Sequence, residues 1–481
     1  MNLNQSATVG SSSWPKYRLM AFSFSVLGFA ASCIAFFPGF MSSDSLTQYA
    51  SSQSLSYIDW HPPVMAWVWS ILNLIFPGPQ GLLYLHLLTL WTALYLWFLR
   101  YRDKKLAIAI LLIGLFPWVV NFSGVLWKDV GLAFALLLFS VIASSPMKLG
   151  KFIIALLLLF YAINVRHNAI FAAFPLVIYA VYQWRPAFRK VWVLVIAVAA
   201  LGAMLVLGNF LNYNILHAKK MHPSNYMMLD DLSYLSLIEK RSLVPEIPIE
   251  DIRDCSTQEV GQTKLIARDF CLSKKQSYRD HSPFRVTLAG EWKEAIMNHP
   301  LEYLRFKLAA FAYFMRSSDS PSFYIWQEGI DPNEMKLAQN KNALTVSLER
   351  YVKSTAEFFP FLFKPYWWLW FSFSLLILSS AIKRSRSTGA AQMLLISSIF
   401  YIFGYLPAGP TADFRYVYWS VIATSLAAVL IAVGGFRLQE KTKPATYIAL
   451  LFGFLIATIF LFNIQRIFTI DMDKVVLQSI S

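Results

Sequence analysis

Hydrophobic and polar positions alternate along this chain in long blocks rather than in short periods. Apolar runs cover Leu19–Phe37, Leu82–Leu99, Leu106–Phe122, Val130–Ser144, Phe152–Val165, Ala169–Trp184, Val191–Leu211, Phe358–Ile382, Met393–Leu406, Val417–Gly435 and Tyr447–Phe462. About 20 apolar residues in a helix cross the hydrocarbon of a bilayer. Backbone groups in lipid must be satisfied within their own segment, so runs of this kind are helices. The pattern predicts an all-α polytopic integral membrane protein with roughly 11 transmembrane helices.

One further stretch, Pro62–Phe76, is short, Trp-rich and opens on two prolines. Counting it as a span reverses the orientation of everything after it, and charge decides the matter. With Pro62–Phe76 lying at the interface, the turns holding Arg100/Arg102/Lys104/Lys105, Lys148/Lys151, Arg185/Arg189/Lys190, Lys383/Arg384/Arg386 and Arg437/Lys441/Lys443 all fall inside. The short outer connections then keep only Lys128, Arg166 and Arg415, the asymmetry that the positive-inside rule requires. Pro62–Phe76 is therefore expected as an interfacial or re-entrant helix in the first outer loop. The N-terminus is expected in the cytoplasm and the C-terminus outside.

The outer face then carries two large pieces, Pro38 to about Gln80 and Asn212 to about Glu357. The second is the only soluble-looking region, and within it Leu301–Met315 reads as a helix on the membrane surface. Three parts follow: a transmembrane module over 1–211, an extracytoplasmic region over 212–357 and C-terminal helices over 358–481.

Composition agrees with this division. The chain of 481 residues is 57% hydrophobic and 14% charged, against about 25% charged in soluble domains. The net charge of +15 reads as basic cytoplasmic loops rather than a nucleic-acid surface. Lys16 and Arg18 precede an apolar run longer than the hydrophobic part of a signal peptide, which predicts a retained first helix. Cys33 falls in that helix. Cys255 and Cys271 lie in the long polar region, where a disulfide and two free thiols stand as equal readings.

Candidate chemistry gathers at the outer helix ends. The first loop supplies Asp44, soon after the first helix, then Asp59-Trp60-His61-Pro62-Pro63. The bland readings are a helix N-cap for Asp44 and a turn for Asp59 and His61. The second connection supplies Lys128-Asp129 and the third Arg166-His167; the late one, Pro407 to Tyr416, supplies Asp413 and Arg415. Lys128 with Asp129, or Asp413 with Arg415, reads equally well as a neutralised interfacial pair. Arg166 is harder to dismiss, because it lies on the side where positive charge is disfavoured and has almost no loop around it. Arg and Lys suit an anionic head group, and a carboxylate suits a base toward a hydroxyl or amine. Outer-loop carboxylates also suit a divalent metal ion, a matter the sequence leaves undecided.

The order of parts resembles the GT-C-type membrane glycosyltransferases, including the protein O-mannosyltransferases and the bacterial enzymes that use polyprenyl-phosphate sugars. Asp44 matches the acidic residue of their first outer loop, His61-Pro62-Pro63 looks like the proline pair opening an interfacial helix, and Lys128-Asp129 is similar to the polar pair of the second outer loop. Asp44-Ser45 stands where the O-mannosyltransferases have an Asp-Glu pair. The resemblance covers about Leu19–Leu211 and the late Asp413–Tyr416 segment, and not 212–357. It implies an inverting glycosyltransferase acting outside the membrane, with a polyprenyl-phosphate-linked sugar as donor and a lipid, glycan or protein as acceptor. Asp44 would then be catalytic, with Asp59, His61, Lys128, Asp129, Arg166, Asp413 and Arg415 binding substrate. Two rivals remain: a transporter or flippase for an anionic lipid or polysaccharide, and a polysaccharide polymerase or ligase. A transporter needs polar groups near mid-membrane, whereas here they gather at helix ends.

Overall fold

The computed structural model describes residues 14–101, 104–145, 148–280, 287–317, 320–339, 341–383, 385–409, 411–435 and 444–480. Arg102, Arg384, Arg437, Lys441 and Lys443, all named above, lie outside the described residues, as does Pro410 within the late connection.

The first half folds into α1 (Trp14–Phe36), α2 (Ser43–Ser54), α3 (Val64–Asn73), α4 (Gln80–Leu99), α5 (Lys104–Leu112), α6 (Pro117–Ser123), α7 (Lys128–Ala143), α8 (Leu149–Val165), α9 (Ala169–Trp184) and α10 (Lys190–Phe210). The polar region holds α11 (Asn225–Glu239), α12 (Ile249–Thr257), α13 (Asp269–Leu272), α14 (Gln276–Asp280), α15 (Ala289–Asn298), α16 (Pro300–Met315) and α17 (Ala343–Phe358). The last part holds α18 (Pro365–Ala381), α19 (Arg386–Phe403), α20 (Tyr418–Gly434), α21 (Pro444–Ile467) and α22 (Met472–Ile480). Among the described residues the extended contacts are four isolated bridges, not strands.

Ten of the eleven apolar runs fall on a helix or a bent pair of helices, and Phe358–Ile382 covers the last residue of α17, a 3-10 turn over Pro360–Phe363 and α18. Four stretches, Pro15–Phe36, Gln80–Leu99, Lys190–Ile215 and Phe414–Gly434, are long and apolar enough to cross a membrane, and two bent pairs raise the number to six. One pair is Leu106–Leu115 with Pro117–Ser123, bent by 46° where Pro117 interrupts the backbone ladder. α7, α8 and α9 have 16, 17 and 16 residues. At about 1.5 Å per residue they fall short of a 30 Å core. The chain is thus an all-helical integral membrane protein, and length alone does not reach eleven spans.

Two cores organise it. The larger runs through α1, α4–α10 and α18–α20, with α19 packed along α20 and α9, and α7 between α4 and α8. The smaller gathers α11, α12, α13, α15 and α22. α16 joins them: Phe311, Ala312, Phe314 and Met315 enter the larger core, and Phe306, Ala309, Ala310 and Tyr313 the smaller. Exposure is confined to the start of this helix, at Pro300, Leu301, Leu304 and Arg305, so most of it is enclosed by protein on both faces rather than laid along a surface. Lys307, also on α16, is buried and pairs with buried Asp231 at 2.6 Å.

The chain end returns to the polar region. Met472 and Val476 of α22 are buried in the smaller core, Arg253 Nε donates to Ser479 Oγ at 3.1 Å, and Lys264 pairs with Asp473 at 2.6 Å. Cys255 and Cys271 form a disulfide between α12 and α13; Cys33 is a free thiol in α1.

Candidate functional site

The turn after α1 sets the site. Gly39 takes φ +119°, and a Cβ there would lie 2.6 Å from the Leu126 side chain. Only glycine accepts both the conformation and the contact. Phe40 and Met41 then run alongside two distant segments. Phe40 N–H donates to Gly124 O at 3.0 Å, Leu126 N–H donates to Phe40 O at 2.9 Å, and Met41 N–H donates to Gly329 O at 2.9 Å.

These contacts lock the start of α2. Ser42, at its N-cap, accepts the Trp127 indole N–H at 2.8 Å instead of capping its own helix. The Ser43 N–H donates to Asp331 Oδ2 at 3.1 Å, so a carboxylate 288 residues away covers the helix N-terminus. Asp44 therefore is not the cap, and its side chain is turned to other partners.

Those partners come from farther along the same loop and from two other connections. Arg415, just ahead of α20, donates through Nη1 to Asp44 Oδ2 at 3.0 Å. His61 Nε2 lies 3.7 Å from Asp44 Oδ1, and Lys128 Nζ lies 3.0 Å from His61 Nδ1. Burial works to raise the Asp44 pKa, but Arg415, His61 and Lys128 outweigh it and bring it down to about 2. Burial and the Lys128 charge push His61 down to about 3, so the ring is neutral near pH 7. A neutral ring that accepts from Lys128 at Nδ1 carries its proton on Nε2, facing Asp44.

The second half of the cluster is more closed. Asp129, at the start of α7, is 1% exposed and pairs with Arg166 Nη1 at 2.6 Å. Arg166 Nε also donates to Asn168 Oδ1 at 3.0 Å, and its guanidinium lies 4.6 Å from the Tyr416 ring and 5.6 Å from Tyr405. Arg415 stacks on Trp127 at 4.7 Å and Tyr416 at 5.2 Å. Tyr416 thus touches both arginines. Asp413 lies 3.3 Å from Arg415 Nε, and burial pushes its carboxyl up against the pull of Arg415.

Six of the eight residues expected from the sequence, Asp44, His61, Lys128, Asp129, Arg166 and Arg415, thus meet at one end of the bundle, and Asp413 joins them through Arg415. Asp59 does not share their hydrogen bonds. Its oxygens accept from Tyr213 OH at 2.8 Å and Met221 N–H at 2.6 Å, which ties the first loop to the chain beyond α10. The sequence reading that no Lys or Arg neutralises Asp44 holds only for its own loop, since Arg415 arrives from 371 residues away. Residues missed from the sequence are Tyr324, Gln327, Asp331, Tyr405 and Tyr416. The aromatic stretch Phe323-Tyr324-Ile325-Trp326 in an otherwise polar region was the available signal.

The opposite end collects basic turns. Arg100, following α4, donates to Ser145 Oγ at 2.7 Å beyond α7, and Gly434 at the end of α20 meets Ser387 at the start of α19.

No family model and no curated protein matches the chain. Among solved structures it is similar to the archaeal oligosaccharyltransferase AglB from Archaeoglobus fulgidus, in complex with an inhibitory peptide and a dolichol-phosphate. Identity is 12% and the TM-score 0.38, over 97% of this chain and 56% of that one. The chain thus spans little more than half of that protein's length, and a likeness of this degree fixes no chemistry for it.

Proposed function

We propose that this protein is a membrane glycosyltransferase that moves a sugar from a polyprenyl-phosphate carrier to an acceptor on the outer face of the membrane. The observation that carries the reading is the convergence of Asp44 and His61 of the first loop with Lys128 and Arg415 of two others, at one end of an apolar bundle. A lipid-borne anion can reach such a site with its chain still in the bilayer.

In this reading the acceptor attacks the anomeric carbon and the carrier phosphate leaves with the bonding pair. Arg415 is the principal phosphate contact, and Lys128 adds charge. Asp44 is the catalytic carboxylate. In the free protein Arg415 holds it as a weak base; a donor phosphate competing for Arg415 loosens that hold and raises its affinity for the acceptor proton.

The same reading places 212–357 and the C-terminus outside and the N-terminus inside, with α3 as an interfacial helix. The basic turns at the opposite end support this orientation, and so does the Cys255–Cys271 disulfide, which suits an oxidising compartment. The charged groups sit at helix ends rather than mid-bundle, which favours an enzyme over a transporter.

Mass spectrometry of surface glycans and lipids, with and without the chain, tests the function. A glycan or lipid that loses one sugar on removal supports it. An unchanged profile, together with no transfer by purified protein from undecaprenyl-phosphate sugars, refutes it. A cysteine placed at Ser54 and labelled by an impermeant reagent in intact cells tests the orientation.

A further inference from the structure

The donor reading leaves one conspicuous residue unused. Tyr324 belongs to no helix, and its φ is +53°, a left-handed conformation that bulky residues rarely adopt. Strain of this kind persists where the surroundings over-determine it, and it clusters at functional sites. Here the surroundings are a chain of side chains. The Tyr324 hydroxyl donates to Gln327 Oε1, the Gln327 amide donates to Asp331 Oδ1 at 2.9 Å, and Asp331 Oδ2 accepts the Ser43 N–H. The ring is thereby tied to the helical turn that carries Asp44.

Tyr324 also ends an aromatic stack. Its centroid lies 5.7 Å from that of Trp127, with 32° between the planes, and Trp127 carries the Arg415 guanidinium. Trp127 is fully buried, while Tyr324 is 38% exposed. It is therefore the member of this stack that a ligand can reach.

We propose that Tyr324 is the platform on which the donor's sugar ring stacks. The proposal rests on the donor reading above. A carrier-linked sugar is ordered as lipid, phosphate, sugar, and the structure offers the bundle, Arg415 and Tyr324 in the same order. The C–H face of a pyranose is weakly electropositive and meets the negative face of an aromatic ring. Locking the ring in advance lowers the cost of ordering it on binding.

The test uses the full chain in nanodiscs, with binding read by native mass spectrometry. The probes are bare undecaprenyl phosphate and undecaprenyl phosphate carrying glucose or mannose. The native protein should bind one glycosylated carrier about tenfold tighter than the bare one. Tyr324→Ala should lose that preference while keeping its affinity for the bare carrier, and Tyr324→Phe, which keeps the aromatic face but not the hydroxyl's bond to Gln327, should keep the bare-carrier affinity and part of the preference. A Tyr324→Ala protein with the native preference overturns the proposal, and so does one that no longer binds the bare carrier, since Tyr324 would then be structural. Equal native affinity for bare and glycosylated carriers overturns this proposal alone. Native protein that binds neither carrier overturns the donor reading, and the platform with it.

Discussion

Asp44 and Asp129 each pair with an arginine at the same end of the bundle, yet their surroundings differ. Asp129 is 1% exposed and its partner Arg166 is held by Asn168 and two tyrosine rings. Asp44 is 30% exposed, and its partner Arg415 is shared with Asp413. The two arginines are about equally exposed, at 14% and 13%, so the carboxylates carry the difference: one sealed from solvent can hold the fold together but cannot exchange partners. A pair with one open face can. The sealed pair is therefore expected to act on stability and the open pair on chemistry, although nothing in the local sequence separates the two.

Asp44→Asn is the strongest way to break that contrast. It keeps the shape and removes the base, and a positioned base contributes about 10²–10⁴-fold to rate. Transfer from an undecaprenyl-phosphate sugar at saturating donor should fall by that amount, with the melting temperature in detergent lowered less than by Asp129→Asn. Near-native turnover would leave Asp44 no more than a residue of the first turn of α2.

Asp129→Asn should do the reverse. Removing one member of a buried ion pair costs about 3–5 kcal/mol, because the other charge is stranded. The expected result is a lower melting temperature and poor recovery of folded protein. Adding Arg166→Gln should restore part of the loss, since the two changes share one interaction. A single variant that melts like the native protein would mean that Asp129 is not a clamp.

Lysine at either arginine sharpens the comparison. Arg415 reaches Asp44 and Asp413 with different nitrogens, which a point charge cannot copy. Arg415→Lys should raise the donor KM by roughly ten- to a hundredfold, the worth of one charged hydrogen bond. Arg166→Lys should act mainly on melting. An equal KM effect from both would return the carrier phosphate to Arg166.

The smallest effect is on pH dependence. His61 titrates near 6.5 in the unfolded chain and at about 3 in the fold. Its contribution to stability is complete above pH 6.5 and is lost as pH falls toward 3. Asp44 goes from 3.8 to about 2, so its contribution is lost only below about pH 4. His61→Gln should flatten the melting profile between pH 6.5 and 4, and Asp44→Asn should leave that window alone.

The apolar helices were legible because burial in lipid imposes a long apolar run, whereas polar helices such as α2 and α12 carry no such signal. The apolar runs are helical, although only four to six of the expected eleven are long and apolar enough to cross a membrane, and the lone Arg166 and the Lys128-Asp129 pair stood out against that background. What was not legible was partnership. Asp59 and His61 are two residues apart, yet one is bound to Tyr213 and Met221 while the other faces Asp44. Leu301–Met315 was readable as a helix, but its Lys307 pairs with Asp231 inside the protein, so the interleaved charge that suggested a membrane surface was partly a buried contact.

By itself, then, the sequence determined that this chain is a helical membrane protein, where its apolar helices run, and which charged residues stand at their ends. These follow from hydropathy and charge, which act residue by residue. Only the tertiary structure decided that Arg415 meets Asp44, that Asp129 is sealed with Arg166, that Asp331 covers the helix carrying Asp44, and that α22 closes the smaller core. Each of those is a contact between segments far apart in the chain. Its strength depends on distance and on exclusion of water, and neither is set until the helices have packed.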